Sequence, residues 1–296
     1  MNVVFCFDNN YVLGYLATAV SLFENNKDND IVLYILSPDL KKNSKDKFDK
    51  LALLYGKKIE YRIIEDWMFD GLPIHPPFNK ATYYRYLIPD LCEVSKVLQL
   101  DGDLIVRKDL TDLYNFDISK VAMAVVEDHL SDNILEKNRL CIDGPLFNNG
   151  VQLMNLDFWR ARHISAKCKE FLISHPQRCI YMDQDANNVI LHDNVIFLPY
   201  TYNIQGDWFN SDDQIYMHRD KIQMIKKDRV DPVIVHFSKP LKPWHKECQH
   251  PFKHEFLRYA RMYDFIEYRE SYRFPLKYRI IRKLIVILRK LLHNQI

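Results

Sequence analysis

Asp101 and Asp103 stand either side of Gly102 in VLQLDGDLIV (97–106), a run that is otherwise almost wholly apolar. Val97, Leu98 and Leu100 lead in, and Leu104, Ile105 and Val106 lead out, so two carboxylates sit where a buried strand should end. Burying an ionised carboxylate is costly unless a cation or hydrogen-bond donors meet it. Side chains two apart on a strand share a face, so this pair can grip one cation once the strand loosens. An all-oxygen grip of that kind suits Mg2+ or Mn2+ and bridges a diphosphate.

The spacing by itself leaves two other readings open. One is a pair of exposed aspartates at a turn around Gly102. The other is the strand-end pair with which haloacid-dehalogenase-like phosphatases present a nucleophilic aspartate and its acid partner. Those enzymes carry the pair near the start of the chain, whereas a long alternating segment precedes it here. A second stretch, VIVHFSKPLKPWH (233–245), shifts the balance, because an apolar strand delivers His236 and then Lys242 in a stiff Lys-Pro-Trp turn. An imidazole completes a metal site and an ammonium pairs with phosphate oxygens. A lone strand-end histidine is ordinarily structural and a tryptophan such as Trp244 ordinarily core; it is the combination with D-x-D that is specific.

Something must bring these residues together. Apolar runs at 2–7, 31–36, 58–64, 96–101 and 121–126 alternate with helical spacing, as in YLATAVSLFENN and SKDKFDKLALLYG. In the second of these, Ser44 is a candidate N-cap and Gly56 a C-terminal stop. NKATYYRYLIPDL (79–91) also reads as helix until Pro89 interrupts it. The order predicts an α/β fold with a mostly parallel central sheet. Ligands of such sheets bind beyond the carboxyl ends of the strands, where Asp8 and Asn9, Asp101 and Asp103, and Glu127 and Asp128 fall. The second half, from FNNGVQLMNLDFW onward, is richer in loops and aromatics and is expected to build the substrate side.

Composition narrows the function. The 296 residues are 48% hydrophobic, enough for a sizeable core, and hold only seven glycines without a G-x-G-x-x-G or G-x-x-x-x-G-K-[ST] loop. A Rossmann dehydrogenase and a P-loop NTPase are thereby disfavoured. Six scattered cysteines without C-x-x-C spacing read as reduced thiols. The amino terminus meets Asp8 after a short apolar run, so it reads as a strand and not as a signal peptide. Residues 271–296 carry seven Lys/Arg and no Asp/Glu, leaving 34 basic against 39 acidic residues before them.

Six motifs, FCFDNNY, TYYRYLIPDL, VLQLDGDLIV, FNNGVQLMNLDFWR, YMDQDANN and HFSKPLKPWH, occur in the order of a known family. Over residues 1–270 the chain resembles bacterial glycosyltransferase family 8, particularly the lipopolysaccharide galactosyl- and glucosyltransferases, whose GT-A fold glycogenin shares. The resemblance implies a retaining transfer of galactose or glucose from a UDP-sugar to a lipopolysaccharide or lipooligosaccharide glycan; capsule, glycoprotein and noncatalytic glycan-binding roles are its alternatives. It assigns Asp101, Asp103 and His236 to Mn2+ (or Mg2+), Asp8 and Asn9 to the uridine nucleotide, and Gly102 and Lys242 to the diphosphate side of the donor. Arg85, Asp128, Asn148 and Asp183 face the donor sugar, and Gln184 faces the anomeric carbon, with Asp185 in the same acidic motif; Gln184, Asp183 and Asp128 are the catalytic candidates. Read without the family, Arg85 is equally a surface ion pair, Asn148 a turn residue and Asp183 a helix N-cap. Lys239 stands where relatives often carry glycine; it is counted with the donor-binding residues, its side chain either adding positive charge or crowding the nucleotide.

The tail, FPLKYRIIRKLIVILRKLLHNQI, sets Ile280, Ile281, Leu284, Ile287, Leu288, Leu291 and Leu292 along one helical face and its basic residues mainly on the other. No apolar run approaches the roughly 20 residues that span a bilayer. The pattern predicts an interfacial helix on an anionic membrane, hence a cytoplasmic enzyme peripheral on the inner face of the bacterial membrane, with no nucleic-acid partner.

Overall fold

The computed structural model describes residues 1–209 and 217–263. The tail expectation for 271–296 lies outside the described residues. The strands, in chain order, are β1 (Asn2–Cys6), β2 (Val32–Ser37), β3 (Lys58–Ile63), β4 (Lys96–Leu100), β5 (Leu104–Val106), β6 (Met123–Glu127), β7 (Phe147–Asn155), β8 (Val195–Phe197), β9 (Ile204–Gln205) and β10 (Ile234–His236). The helices are α1 (Val12–Glu24), α2 (Lys42–Tyr55), α3 (Ile88–Leu91), α4 (Thr111–Tyr114), α5 (Ile134–Leu140), α6 (Leu156–Ala161), α7 (Ile164–Ser174), α8 (Asp183–Leu191), α9 (Arg219–Asp228) and α10 (Lys253–Arg261).

Among the described residues, seven strands form one sheet in the order β3-β2-β1-β4-β7-β6-β8, and β5, β10 and β9 form a second, smaller one. β1 pairs parallel with β2 and β4, and β3 and β8 are parallel to their neighbours, so the sheet is mostly parallel as expected. β7 is the exception, antiparallel to both β4 and β6. Alternation along each strand feeds two cores. Val3, Phe5 and Phe7 face one, and Val4 and Cys6 the other. Continuous apolar runs therefore mark strands covered on both faces.

α1 is apolar almost all round because it lies between β5, α2 and α10. α2 ends as the sequence predicts, with Gly56 at φ 61°, a left-handed value that suits glycine. Its start differs: the helix begins at Lys42 after Lys41, and Ser44 is already inside the first turn. Asn9 decides the matter by bridging Asp39 O and the Lys41 N–H, which fixes the entering backbone. The 79–91 segment is a 3-10 helix, Lys80–Leu87, capped by Asn79 and followed by α3. Pro89 lies in the first turn of α3, where no amide donor is needed, so it opens a helix instead of interrupting one. The stretch expected to be loop-rich at FNNGVQLMN is β7, nine residues long and almost wholly buried. All six cysteines are free.

Candidate active site

The apolar run around the two aspartates is not one strand but two. At Asp101 the backbone N–H still donates to Gly150 O on β7, 2.9 Å away; at Asp103 the carbonyl already accepts from Phe237, just past β10, at 2.7 Å. The chain leaves the large sheet and enters the small one across Gly102. A side chain could not follow, since a Cβ on Gly102 would lie 2.3 Å from the Tyr15 ring. The absent side chain of Gly102 thus faces a packed aromatic. Asp101 is 25% exposed and Asp103 only 9%, so the pair forms the mouth and the floor of one site.

β10 brings His236 onto Asp103, with Nε2 3.3 Å from Oδ1, while Lys242 donates to Oδ2 at 2.5 Å. The ligand atoms of Asp101, Asp103 and His236 all lie within 4.8 Å of one another. Burial alone would raise the pKa of Asp103, but the Lys242 ammonium and the His236 ring override it and hold the carboxyl well below the usual range. His236 is oriented from behind: its Nδ1 meets Asn203 Oδ1 at 3.1 Å, and Asn203 in turn donates to Asn148 Oδ1. Accepted at Asn203 Oδ1, a proton on Nδ1 leaves Nε2 as the nitrogen that faces Asp103. Gly150 completes the fit, because a Cβ there would stand 2.3 Å from the imidazole ring. Two carboxylates and one oriented imidazole fit a divalent ion of the Mn2+ or Mg2+ kind.

β7 is antiparallel, so its first residues open onto the edge where its neighbours end. Asn148 Nδ2 donates to Asp128 Oδ2 and to Gln184 Oε1, and Gln184 Nε2 donates to the same Asp128 oxygen at 3.2 Å. The Asn149 N–H also donates to Gln184 Oε1, at 3.1 Å. Fixed backbone donors at one end and the carboxylate at the other set the orientation of every amide between them. Burial would raise Asp128, yet His129, the Leu130 N–H and Asn148 hold it at about 2.

Arg85 is buried, not a surface residue, and it ties two carboxylates together: Asp101 at 3.1 Å and Asp183 at 3.0 Å. Asp183 also accepts from Thr82 and, at 2.6 Å, from Asn149. Burial is the stronger influence here and pushes its pKa up despite Arg85. The N-cap reading of Asp183 fails: Met182, at φ 51°, precedes α8, Asp183 is its first residue, and tertiary partners claim its carboxylate. Asn148 is a strand residue and not part of a turn. Asp185 faces away, in a bidentate pair with Arg139 at 2.7 and 3.0 Å that also takes the Tyr181 N–H.

Other expected residues stand further out. Asp8 bonds Asn10 and Asn79, while Asn9 holds the loop before α2. Lys239, between His236 and Lys242 in sequence, lies 3.6 Å from Asp207 and beside His250. Glu127 turns into a buried network with Ser131, Tyr200 and Lys221, away from the metal edge. Asn149, Gly150, Asn203 and Gln99 border this cluster although no local periodicity singles them out; Gln99 is a polar residue inside an apolar run.

Residues 2–248 match the family model for glycosyl transferase family 8. The chain belongs to that family. This family 8 enzyme is a glycosyltransferase, which sets aside both the phosphatase reading of the D-x-D pair and a noncatalytic role. It is 28% identical to General stress protein A of Bacillus subtilis, over 88% of this chain and 92% of that one. It is also 28% identical to the lipopolysaccharide glucosyltransferase WaaO of Escherichia coli K12, over 83% and 73%. In fold it resembles the galactosyltransferase LgtC solved with donor and acceptor sugar analogues: TM-score 0.78, 24% identity, 94% of this chain and 99% of the other. The GT-A expectation is thereby met for the described residues of the family 8 enzyme. Among them no helix is long and apolar enough to cross a membrane.

Proposed function

We propose that this enzyme moves galactose or glucose from a UDP-sugar to a lipopolysaccharide or lipooligosaccharide glycan, with retention at the anomeric carbon and with Mn2+ or Mg2+ bound by Asp101, Asp103 and His236. The observation that carries the reading is the placing of that cluster, with Lys242 on it, across Arg85 from Asp183 and Gln184. Relatives named as lipopolysaccharide glucosyl- and galactosyltransferases support the sugar and acceptor class.

The bound cation would neutralise charge on the departing nucleotide diphosphate. Lys242 swings little from Asp103 to pair with a phosphate oxygen, and Lys239 adds a second ammonium if its pairing with Asp207 gives way. Asp8 and the loop set by Asn9 border the uridine side, with Gly102 keeping the backbone turn between the aspartates compact. On the sugar side Arg85, Asp128, Asn148 and Asp183 hold hydroxyls. Gln184 Oε1 already accepts two hydrogen bonds, which weakens an amide oxygen that is a poor nucleophile to begin with. Its role is then to position and to stabilise positive charge at the anomeric carbon, while the acceptor attacks from the face the diphosphate leaves. The GT-A domain over 1–270 does this chemistry, and the basic segment 271–296 holds the enzyme on an anionic inner membrane, near a lipid-borne acceptor.

The test is UDP release from UDP-galactose and UDP-glucose in Mn2+ or EDTA, wild type against Asp101→Asn. Release that needs Mn2+, is lost in the variant and favours one sugar is expected. Equal release in EDTA would remove the cation from the mechanism.

A further inference from the structure

Gln99 is fully buried in the middle of β4, and Gln152, equally buried, stands opposite it on β7. Every other residue of β4 but Lys96 is apolar, and Val97, on the same face as Gln99, belongs to a hydrophobic core. An amide in such a place needs hydrogen-bond partners, or its desolvation goes uncompensated at roughly 1–3 kcal/mol. The partners of Gln99 are all at the active site. Its Nε2 donates to Asp101 Oδ1 at 3.1 Å, and its Oε1 lies 3.5 Å from Arg85 Nη1. Gln152 has no hydrogen bond to Asp101 or to Arg85: its amide donates to the Asn149 backbone O, and its Oε1 has no partner among the described residues.

We propose that Gln99 is a positioning residue for the cation site, clamping Asp101 Oδ1 together with Arg85 so that Oδ2 is the oxygen offered to the cation. The inference rests on the metal reading given above. The two residues are two apart on one strand, so the glutamine side chain runs alongside the carboxylate and limits its rotation. Arg85 alone cannot do this, since it is divided between Asp101 and Asp183 and holds the carboxylate at one point. With both donors on the same atom, Oδ1 is saturated and the carboxylate plane is set before any ligand arrives. The geometry points to a one-oxygen ligand held from behind, the arrangement in which a supporting hydrogen bond contributes most to affinity.

The experiment is a Mn2+ titration of the full chain without donor, followed by electron paramagnetic resonance, on wild type, Gln99→Leu, Gln152→Leu and Asp101→Asn. Gln99→Leu is expected to weaken Mn2+ binding about tenfold, and to raise the Mn2+ concentration for half-maximal turnover while leaving kcat at saturating Mn2+ within about twofold. Gln152→Leu, a matched buried amide removed from the opposite strand, is expected to bind Mn2+ as wild type does. Wild-type affinity in Gln99→Leu, or an equal loss in Gln152→Leu, overturns the proposal. Should Gln99→Leu fail to fold, Gln99→Met keeps the side-chain length, drops the donor and gives the same readout. If wild type takes up no Mn2+, or Asp101→Asn binds it unchanged, the metal reading itself falls, an outcome distinct from a failure of Gln99 alone.

Discussion

Asp103 and Asp183 are both buried, and their surroundings shift their pKa values in opposite directions. At Asp103, two cationic or cation-capable groups, Lys242 and His236, each reach a different oxygen, and burial loses. At Asp183, one guanidinium shared with Asp101 and two neutral donors are set against burial and against the charge of Asp101, and burial wins. Depth is therefore not what separates them; the number and sign of neighbouring charges is. The first stands in the cluster of Asp101, Asp103 and His236. The second is wrapped in hydroxyl and amide donors from Thr82 and Asn149.

Removing the charge where it is most firmly held has the largest expected effect. Asp103→Asn should lower UDP release by about a thousandfold, or about 4 kcal/mol, and abolish its response to added Mn2+. Asp183→Asn, a neutral isostere where the native environment already disfavours charge, should cost about a hundredfold in kcat and leave the thermal midpoint at or above wild type. A drop in that midpoint comparable to the one in Asp103→Asn would break the comparison. A base sharpens it further. At His250, burial and the nearby Lys239 act in the same direction and bring the pKa from 6.5 down to about 4. The folded state then refuses a proton that the unfolded chain accepts, so stability is full above pH 6.5 and declines as pH falls toward 4. The loss should be on the order of 2 kcal/mol, read by urea unfolding across that range, and should be largely absent in His250→Gln.

The five strands expected from apolar runs are all present, displaced by no more than two residues at an end; for β1, β2, β4 and β6 this is because both faces are covered and the pattern is nearly continuous, whereas the edge strand β3 is only partly buried. Asp101, Asp103, His236 and Lys242, singled out by D-x-D in combination with HFSKPLKPWH while each motif alone had other readings, stand together in the structure. β7 was not legible, since Asn148, Asn149 and Gln152 interrupt its apolar character; the first two are polar because they bond Asp128 and Asp183. Gln99 escaped in the same way. Asn203 orients His236 from the residue just before β9, a two-residue strand that carries no periodicity at all. Ser44 and Asp183 have the composition of helix caps, but Asn9 in one case and Arg85 in the other outcompete local capping. Local rules fail here where distant partners are stronger.

The crossing of the chain from one sheet to the other at Gly102 bears on how the protein assembles. Asp101 ends a strand of the large sheet, while Asp103 is bonded into the small one and meets His236 only when the far-downstream β10 has paired with β5. The large sheet can gather around β1, β2 and β4 from early in the chain, whereas this junction closes a long loop and so belongs among the slow contacts. A cation that needs all three side chains recognises only the docked pair of sheets, and its capture in a refolding experiment would time the final step of maturation.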